Sequence, residues 1–206
     1  MSEHYFSSSP NVKSEQYQWT FKLRDFTFTF HTDAGVFSKK EVDFGSRVLI
    51  EAFEPPETNG KILDIGCGYG PITLAFAKSF PDREVVGVDV NRRALALAEK
   101  NAVENKITNV VFKESNITAA VKGESFAAVV TNPPIRAGKK VVYAIFREAY
   151  NALKENGELW VVIQKKQGAP SAKKELEFLF HEVTTVKKEK GYYILRAKKF
   201  DATSSI

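Results

Sequence analysis

Apolar residues repeat along the chain with two different periods, and the change between them divides it. In "WTFKLRDFTFTF" (19–30) apolar and polar positions alternate. Trp19, Phe21 and Leu23 share one face, Phe26, Phe28 and Phe30 form another run, and Arg24-Asp25 lies between them. A period of two with a polar break predicts a β-hairpin with a buried face. "DFGSRVLIEAF" (43–53) spaces its apolar residues as a helix does, with Asp43 at the N-cap. "EPPETNG" (54–60) is rich in breakers. The expected organisation is an N-terminal appendage of hairpin and helix over 1–54 on the substrate side, a main domain over 55–200, and a tail over 201–206.

From Lys61 the rhythm changes. "KILDI", "EVVGVDV", "NVVFKES", "SFAAVVTN" and "ELWVVIQ" read as strands. Between them "PITLAFAKSF", "RRALALAEKNAVEN" and "GKKVVYAIFREAYNALKENG", the last closed by Gly157, read as helices. "SAKKELEFLF" is a further helix, and "EVTTVKKEK" and "GYYILRAKK" a closing strand pair. Val/Ile-rich strands alternating with helices predict an α/β fold with a sheet covered on both faces. The expected fold class is Rossmann-like, a mostly parallel seven-stranded sheet with an antiparallel edge strand. Ligands of such sheets bind at the carboxyl ends of the strands.

Composition changes this picture little. The chain has 206 residues, 43% hydrophobic and 27% charged, ordinary for a soluble globular protein. One cysteine, Cys67, excludes an internal disulfide, and no stretch approaches the ~18 apolar residues of a membrane span. The first residues are polar and have no signal-peptide core. A cytoplasmic protein without membrane contact is expected. The net charge of +5 favours contact with a polyanion, weakly. His4, His31 and His181 have no metal-ligand spacing, so no metal is expected.

The chemistry gathers at the strand ends. "LDIGCGYGP" (63–71) sets Asp64, Gly66, Gly68 and Gly70 at alternate positions, and Asp89 follows Gly70 by nineteen residues. Glycines admit a tight turn and a close ligand, and a carboxylate at the next strand end accepts from a ribose diol. The pair therefore points to a nucleoside-bearing cofactor. The loop is G-x-G-x-G, which disfavours the G-x-G-x-x-G of nicotinamide enzymes. It resembles motif I of the class I S-adenosylmethionine (SAM) methyltransferases. Cys67 reads as a packing residue within the loop, and Val90 stands beside Asp89. In the SAM fold the end of the third strand lies beside the adenine, so Asn116 has two readings, an adenine contact and a helix cap.

"TNPPI" (131–135) ends the fourth strand. An amino nitrogen conjugated to a base or an amide is a poor nucleophile. Two acceptors on its N–H bonds would hold it and favour a lone pair aimed at a methyl donor. The Asn132 side-chain oxygen and the Pro133 carbonyl suit that role, with Pro133 and Pro134 fixing the backbone. Catalysis would then be mainly positioning. "NPPI" resembles the [ND]-PP-[YFW] motif of methyltransferases acting on planar amino nitrogens, with Ile135 where an aromatic is usual.

"TDAGVFSKKEVDFGSRVLIE", "LDIGCGYGP", "TNPPIRAGK" and "GELWVVIQKKQGA" together are similar to the RsmC-like methyltransferases. The resemblance covers about Tyr5 to Lys199. It implies methyl transfer from SAM to the exocyclic N2 of a guanine in small-subunit (16S) ribosomal RNA. It also implies that Phe37 and Ser38 close over cofactor and target. Longer members carry an extra N-terminal domain for which this chain is too short. Arg136, Lys139 and Lys140, with Lys165 and Lys166, are expected to grip phosphates. The expected partner is ribosomal RNA or the small subunit, and the expected state a monomer or weak homodimer. Other readings of the same residues are adenine N6, a protein glutamine amide, and a non-catalytic RNA-binding module.

Overall fold

The alternating N-terminal segment forms a hairpin in the computed structural model, which describes residues 15–34 and 41–200. Strands β1 (Gln16–Leu23) and β2 (Phe26–Asp33) pair antiparallel, with Trp19 opposite Phe30, Phe21 opposite Phe28 and Leu23 opposite Phe26. Opposed residues share a face, so the two apolar runs merge into one surface. Arg24 makes the turn at φ 52°. That conformation is costly for a side chain with a Cβ, and the docking of the guanidinium offsets it. Arg24 Nε donates to the Ile50 carbonyl at 2.9 Å, and a second guanidinium nitrogen donates to the Phe53 carbonyl. These carbonyls end helix α1 (Phe44–Ala52), so the hairpin turn caps the helix.

The outer edge of β2 meets helix α3 (Arg92–Glu104) rather than another strand. Asn101 Oδ1 accepts from the His31 N–H at 2.7 Å, and its Nδ2 donates to the His31 carbonyl at 3.1 Å. Asn105 treats Thr29 in the same way, at 2.9 and 2.8 Å. A side-chain amide carries the donor and acceptor of a peptide, so the two asparagines stand in for a third strand.

The main sheet is built from β3 (Ile62–Ile65), β4 (Val85–Asp89), β5 (Val110–Glu114), β6 (Phe126–Thr131), β7 (Leu153–Gln164), β8 (Glu182–Glu189) and β9 (Tyr192–Lys198). Helices α2 (Pro71–Ser79), α3, α4 (Lys139–Ala152) and α5 (Ala169–Leu179) alternate with them. The strand order is β5-β4-β3-β6-β7-β9-β8. Successive residues take opposite faces. Ile62, Val85, Ala128, Trp160 and Ile194 join one core cluster, and Leu63, Val86, Val129, Val161 and Leu195 the other. The first cluster includes hairpin, α1 and α2 side chains; the second includes those of α4 and α5. One core therefore runs through both sides of the breaker-rich stretch at 54–60. No helix among the described residues is long and apolar enough to cross a membrane.

Two details depart from the pattern reading. The reversed strand is β9, which pairs antiparallel with both neighbours and lies one strand in from the edge. The outermost strand, β8, runs in the direction of β7. The helix expected to reach Gly157 stops at Ala152 instead. Leu153 turns extended, pairs with Phe126, and is buried in the second cluster. The register with β6 then slips until Ala128 meets Glu158, past Asn156 at φ 60°. Burial of Leu153 in the sheet outweighs the helical propensity of "LKEN".

Phe53 ties α1 to the sheet. Its ring stacks on Phe76 at 4.3 Å and meets Trp160 edge-on at 5.2 Å. Phe53→Ala is expected to cost about 3–5 kcal/mol through lost burial and an uncollapsed cavity. A lower denaturant midpoint with an unchanged slope would confirm it.

Candidate active site

Strand β3 delivers Asp64 and then the glycine loop to the carboxyl edge. The Gly66 and Cys67 N–H groups both donate to the Val88 carbonyl, at 2.8 and 3.0 Å, which seats the loop on β4. Gly87 permits this. A Cβ there would lie 2.8 Å from the Phe112 ring and 3.0 Å from Cys67 Sγ. Gly66 and Gly68 have φ of 78° and 58°, and a Cβ on either would meet nothing within 4 Å. The loop thus exposes backbone to open space on its outer side.

Asp64 is fully buried. Its Oδ2 accepts from Thr73 Oγ1 at 2.6 Å, and its Oδ1 has no hydrogen-bond partner. Burial pushes its carboxyl up to about 7, against the Thr73 hydrogen bond and with help from the Asp89 charge. A buried acceptor without a donor invites one from a ligand. Asp89, half-buried, accepts from the Gly68 N–H at 2.8 Å on Oδ2 and from the Asn91 N–H at 2.9 Å on Oδ1. Burial raises its carboxyl too, and the backbone donors oppose that shift. Each oxygen retains a lone pair for a diol. Val90 follows, half-buried. Burial pushes the Cys67 thiol well up, so it stays neutral and is no nucleophile.

At the end of β5 the Ser115 N–H donates to the Asp89 carbonyl at 2.9 Å, which brings Asn116 beside the carboxylate. Ser115 Oγ accepts from the Ala120 N–H at 3.0 Å, and the Asn116 side chain is exposed. The open glycine loop, the half-buried Asp89 and the exposed Asn116 amide follow the ends of three neighbouring strands. They could hold the ribose and base of SAM, above the buried Asp64.

Asn132 leaves β6, the neighbour of β3 on its other side. Its Nδ2 donates to Asp43 Oδ2 at 2.9 Å and to Ser46 Oγ at 3.0 Å. Both amide hydrogens are used, and among the described residues Oδ1 and the Pro133 carbonyl have no partner. Pro133 is buried, and the Pro134 carbonyl accepts from the Ala137 N–H at 2.9 Å to start a turn. Ile135, half-buried, packs against the core cluster beneath α4 and α5. Phe37 and Ser38 lie outside the described residues.

Arg136, Lys139, Lys140, Lys165 and Lys166 are all exposed, and among the described residues none forms an ion pair. The sequence pattern does not reveal three side chains bonded to the candidate site residues, Thr73, Asp43 and Ser46, nor a lysine beside the expected phosphate-binding pair, Lys190. Thr73 is a polar residue in an otherwise apolar stretch, "PITLAFA", and that was its signal. Asp43 was read as a cap only, and Ser46 not at all. Lys190 was given no role, yet it lines a cavity of about 490 Å³ with Lys165, Lys166 and Gln164. Gln164 pairs with Tyr192 in β9, which is what brings the β8–β9 turn to this edge.

The methyltransferase small domain family matches residues 27–196. The chain belongs to this family. Its members take the methyl group from SAM, which agrees with a cofactor at these strand ends. The chain is 59% identical to YbxB of Bacillus subtilis, over 97% of its own length and 100% of that protein's, and YbxB is described as uncharacterized. It is 27% identical to the ribosomal RNA large subunit methyltransferase G of Psychromonas ingrahamii, over 92% of this chain and 51% of that one. The T. thermophilus 16S rRNA N2 methyltransferase RsmC, solved with AdoMet and guanosine, superposes with a TM-score of 0.81 at 29% identity. The superposition covers 92% of this chain and 52% of that one. The chain thus spans about half the length of these two ribosomal RNA methyltransferases.

Asp64 yields a prediction with a definite sign. Its carboxyl holds a proton in the folded state from the ordinary 3.8 up to about 7, while the unfolded state has lost it. Stability contributed by this group therefore falls as pH rises through that window and is flat above it. Asp64→Asn keeps an acceptor for Thr73 and cannot ionise. Its melting temperature is expected to exceed that of the wild type at pH 8 by more than at pH 5, while cofactor affinity drops. A variant less stable than wild type at pH 8 would refute the uncompensated buried carboxylate.

Proposed function

We propose that this methyltransferase transfers the methyl group of SAM to the exocyclic N2 amino group of a guanine in 16S ribosomal RNA. One observation carries the reading. Asn132 has spent both amide hydrogens on Asp43 and Ser46, so only its oxygen remains to meet a substrate. A site of two acceptors, Asn132 Oδ1 and the Pro133 carbonyl, selects a group with two N–H donors. It has nothing to offer a carbonyl or an unprotonated ring nitrogen. The guanosine bound to the T. thermophilus relative supports guanine over other amino-bearing rings.

The protein's part is binding and orientation. Asp64, the loop Gly66–Gly70 and Asp89 would hold the cofactor at these strand ends. SAM, when bound, would supply an electrophilic methyl group on the sulfonium between its amino acid and its ribose. Two hydrogen bonds from the amino group to Oδ1 and the carbonyl would fix its plane and draw the lone pair out of conjugation. No strong base is needed, because the nitrogen becomes acidic once alkylated. Arg136, Lys139, Lys140, Lys165, Lys166 and Lys190 would hold phosphates on either side of a base turned out of its stack. The hairpin and α1 stand on the substrate side, through Asp43.

The likeness to a large-subunit enzyme favours one second target, an amino nitrogen in large-subunit RNA. Methyl transfer from labelled SAM to small and large subunits from a strain lacking the gene decides between them. Label in the small subunit that digests to N2-methylguanosine is the expected result. Label confined to large subunits or protein would overturn the 16S assignment. Asn132→Ala is expected to bind SAM within a few-fold of wild type and to lose roughly a hundredfold or more in kcat, as when one preorganised polar group is removed elsewhere. Calorimetry beside single-turnover kinetics would check it, and retained turnover would refute the two-acceptor role.

A further inference from the structure

An asparagine used as an acceptor has a weakness. Its oxygen and nitrogen are nearly the same size, and a half-turn about the last side-chain bond exchanges them. In the flipped state Asn132 would present donors to an amino group that also only donates. Something must therefore distinguish the two ends of the amide. Ser46 Oγ, at 3.0 Å, does not, because a hydroxyl donates or accepts. Asp43 Oδ2, at 2.9 Å, does, because a carboxylate only accepts.

We infer that Asp43 is a positioning residue that holds the Asn132 amide with its nitrogen toward α1 and its oxygen toward the cleft. The inference rests on the reading of Asn132 as an acceptor for the substrate's amino group. A flip would bring Asn132 Oδ1 against a carboxylate oxygen, two partial negative charges without a proton between them. The carboxylate is itself well held. The same Oδ2 accepts from the Ser46 N–H at 3.0 Å, and the Asp43 carbonyl accepts from the Arg47 N–H at 3.0 Å. Asp43 is thus fixed by the first turn of α1, and α1 is fixed at its other end by Phe53 and Arg24. The N-cap and Asn132 are 89 residues apart in the chain, and the cap has a second task besides starting a helix.

The two tasks separate in one substitution. Serine caps helices about as well as aspartate, so Asp43→Ser keeps the helix start, but a hydroxyl donates or accepts and no longer tells the ends of Asn132 apart. The Asn132 side-chain NH₂ signal is followed by ¹⁵N NMR in the substrate-free protein and assigned by its loss in Asn132→Ala. We expect it to lie downfield in wild type and to shift or broaden in Asp43→Ser. The melting temperature is expected to stay near wild type and the SAM dissociation constant to stay unchanged. With RNA substrate, kcat is expected to fall roughly tenfold to a hundredfold, the scale of a small misplacement, with KM little altered. An unmoved NH₂ signal would overturn the inference, as would an unchanged kcat, or a loss of kcat matched by a large fall in melting temperature. The NMR measurement needs no RNA. If wild type methylates no guanine while the signal still depends on Asp43, the target assignment fails and the positioning role stands.

Discussion

A parallel sheet buried on both faces offers water only its strand ends. Most interior positions here fall in one of two apolar clusters, and the alternation of neighbours between them leaves little room for polar side chains along the strands. Chemistry is forced to the carboxyl edge, where β3, β4, β5, β6 and β7 each end in a loop. Asp64 measures the constraint. It sits inside the sheet layer with one oxygen unsatisfied, and its carboxyl is displaced far from the ordinary carboxylate range as a result. Such a group is tolerable where a ligand's donor completes it.

The N-terminal segment is bound into this frame by polar contacts that a hydrophobic account would pass over. Arg24 closes the end of α1, Asn101 of α3 and Asn105 at its C-cap zip to β2, and Asp43 at the start of α1 grips Asn132. The helix is thus anchored at both ends, one in the core and one at the chemistry. Displacing α1 would move the acceptor.

Much of this was legible in the linear pattern, and the reasons for the rest are physical. Alternation located the hairpin, and Val/Ile runs between amphipathic helices located the sheet. Gly66, Gly68, Asp89 and Asn132 stood out because turns and strand ends favour distinctive residues. The end of α4 did not, since "LKEN" has helical propensity and only the burial of Leu153 beside Phe126 cuts the helix short. The inner place of β9 is a matter of strand order, which no local period records. Asp43 and Thr73 act through side-chain bonds to Asn132 and Asp64, and such bonds leave no periodic trace. The packing of Ile135 against the core was likewise hidden, because a loop residue's partner depends on which way the loop turns.

The amide zipper on β2 also bears on how the protein behaves in a crowd. A two-stranded ribbon with bare peptide groups along its rim is a template for another chain. Asn101 and Asn105 occupy the β2 rim with their own donors and acceptors, and the solvent side of β1 carries Gln16, Gln18, Thr20 and Lys22. At the far end of the main sheet, β8 presents Lys187 and Lys188 in the same exposed position. The rim of β2 is thus filled and the β8 border charged, which guards both against accidental strand exchange with other copies of the protein.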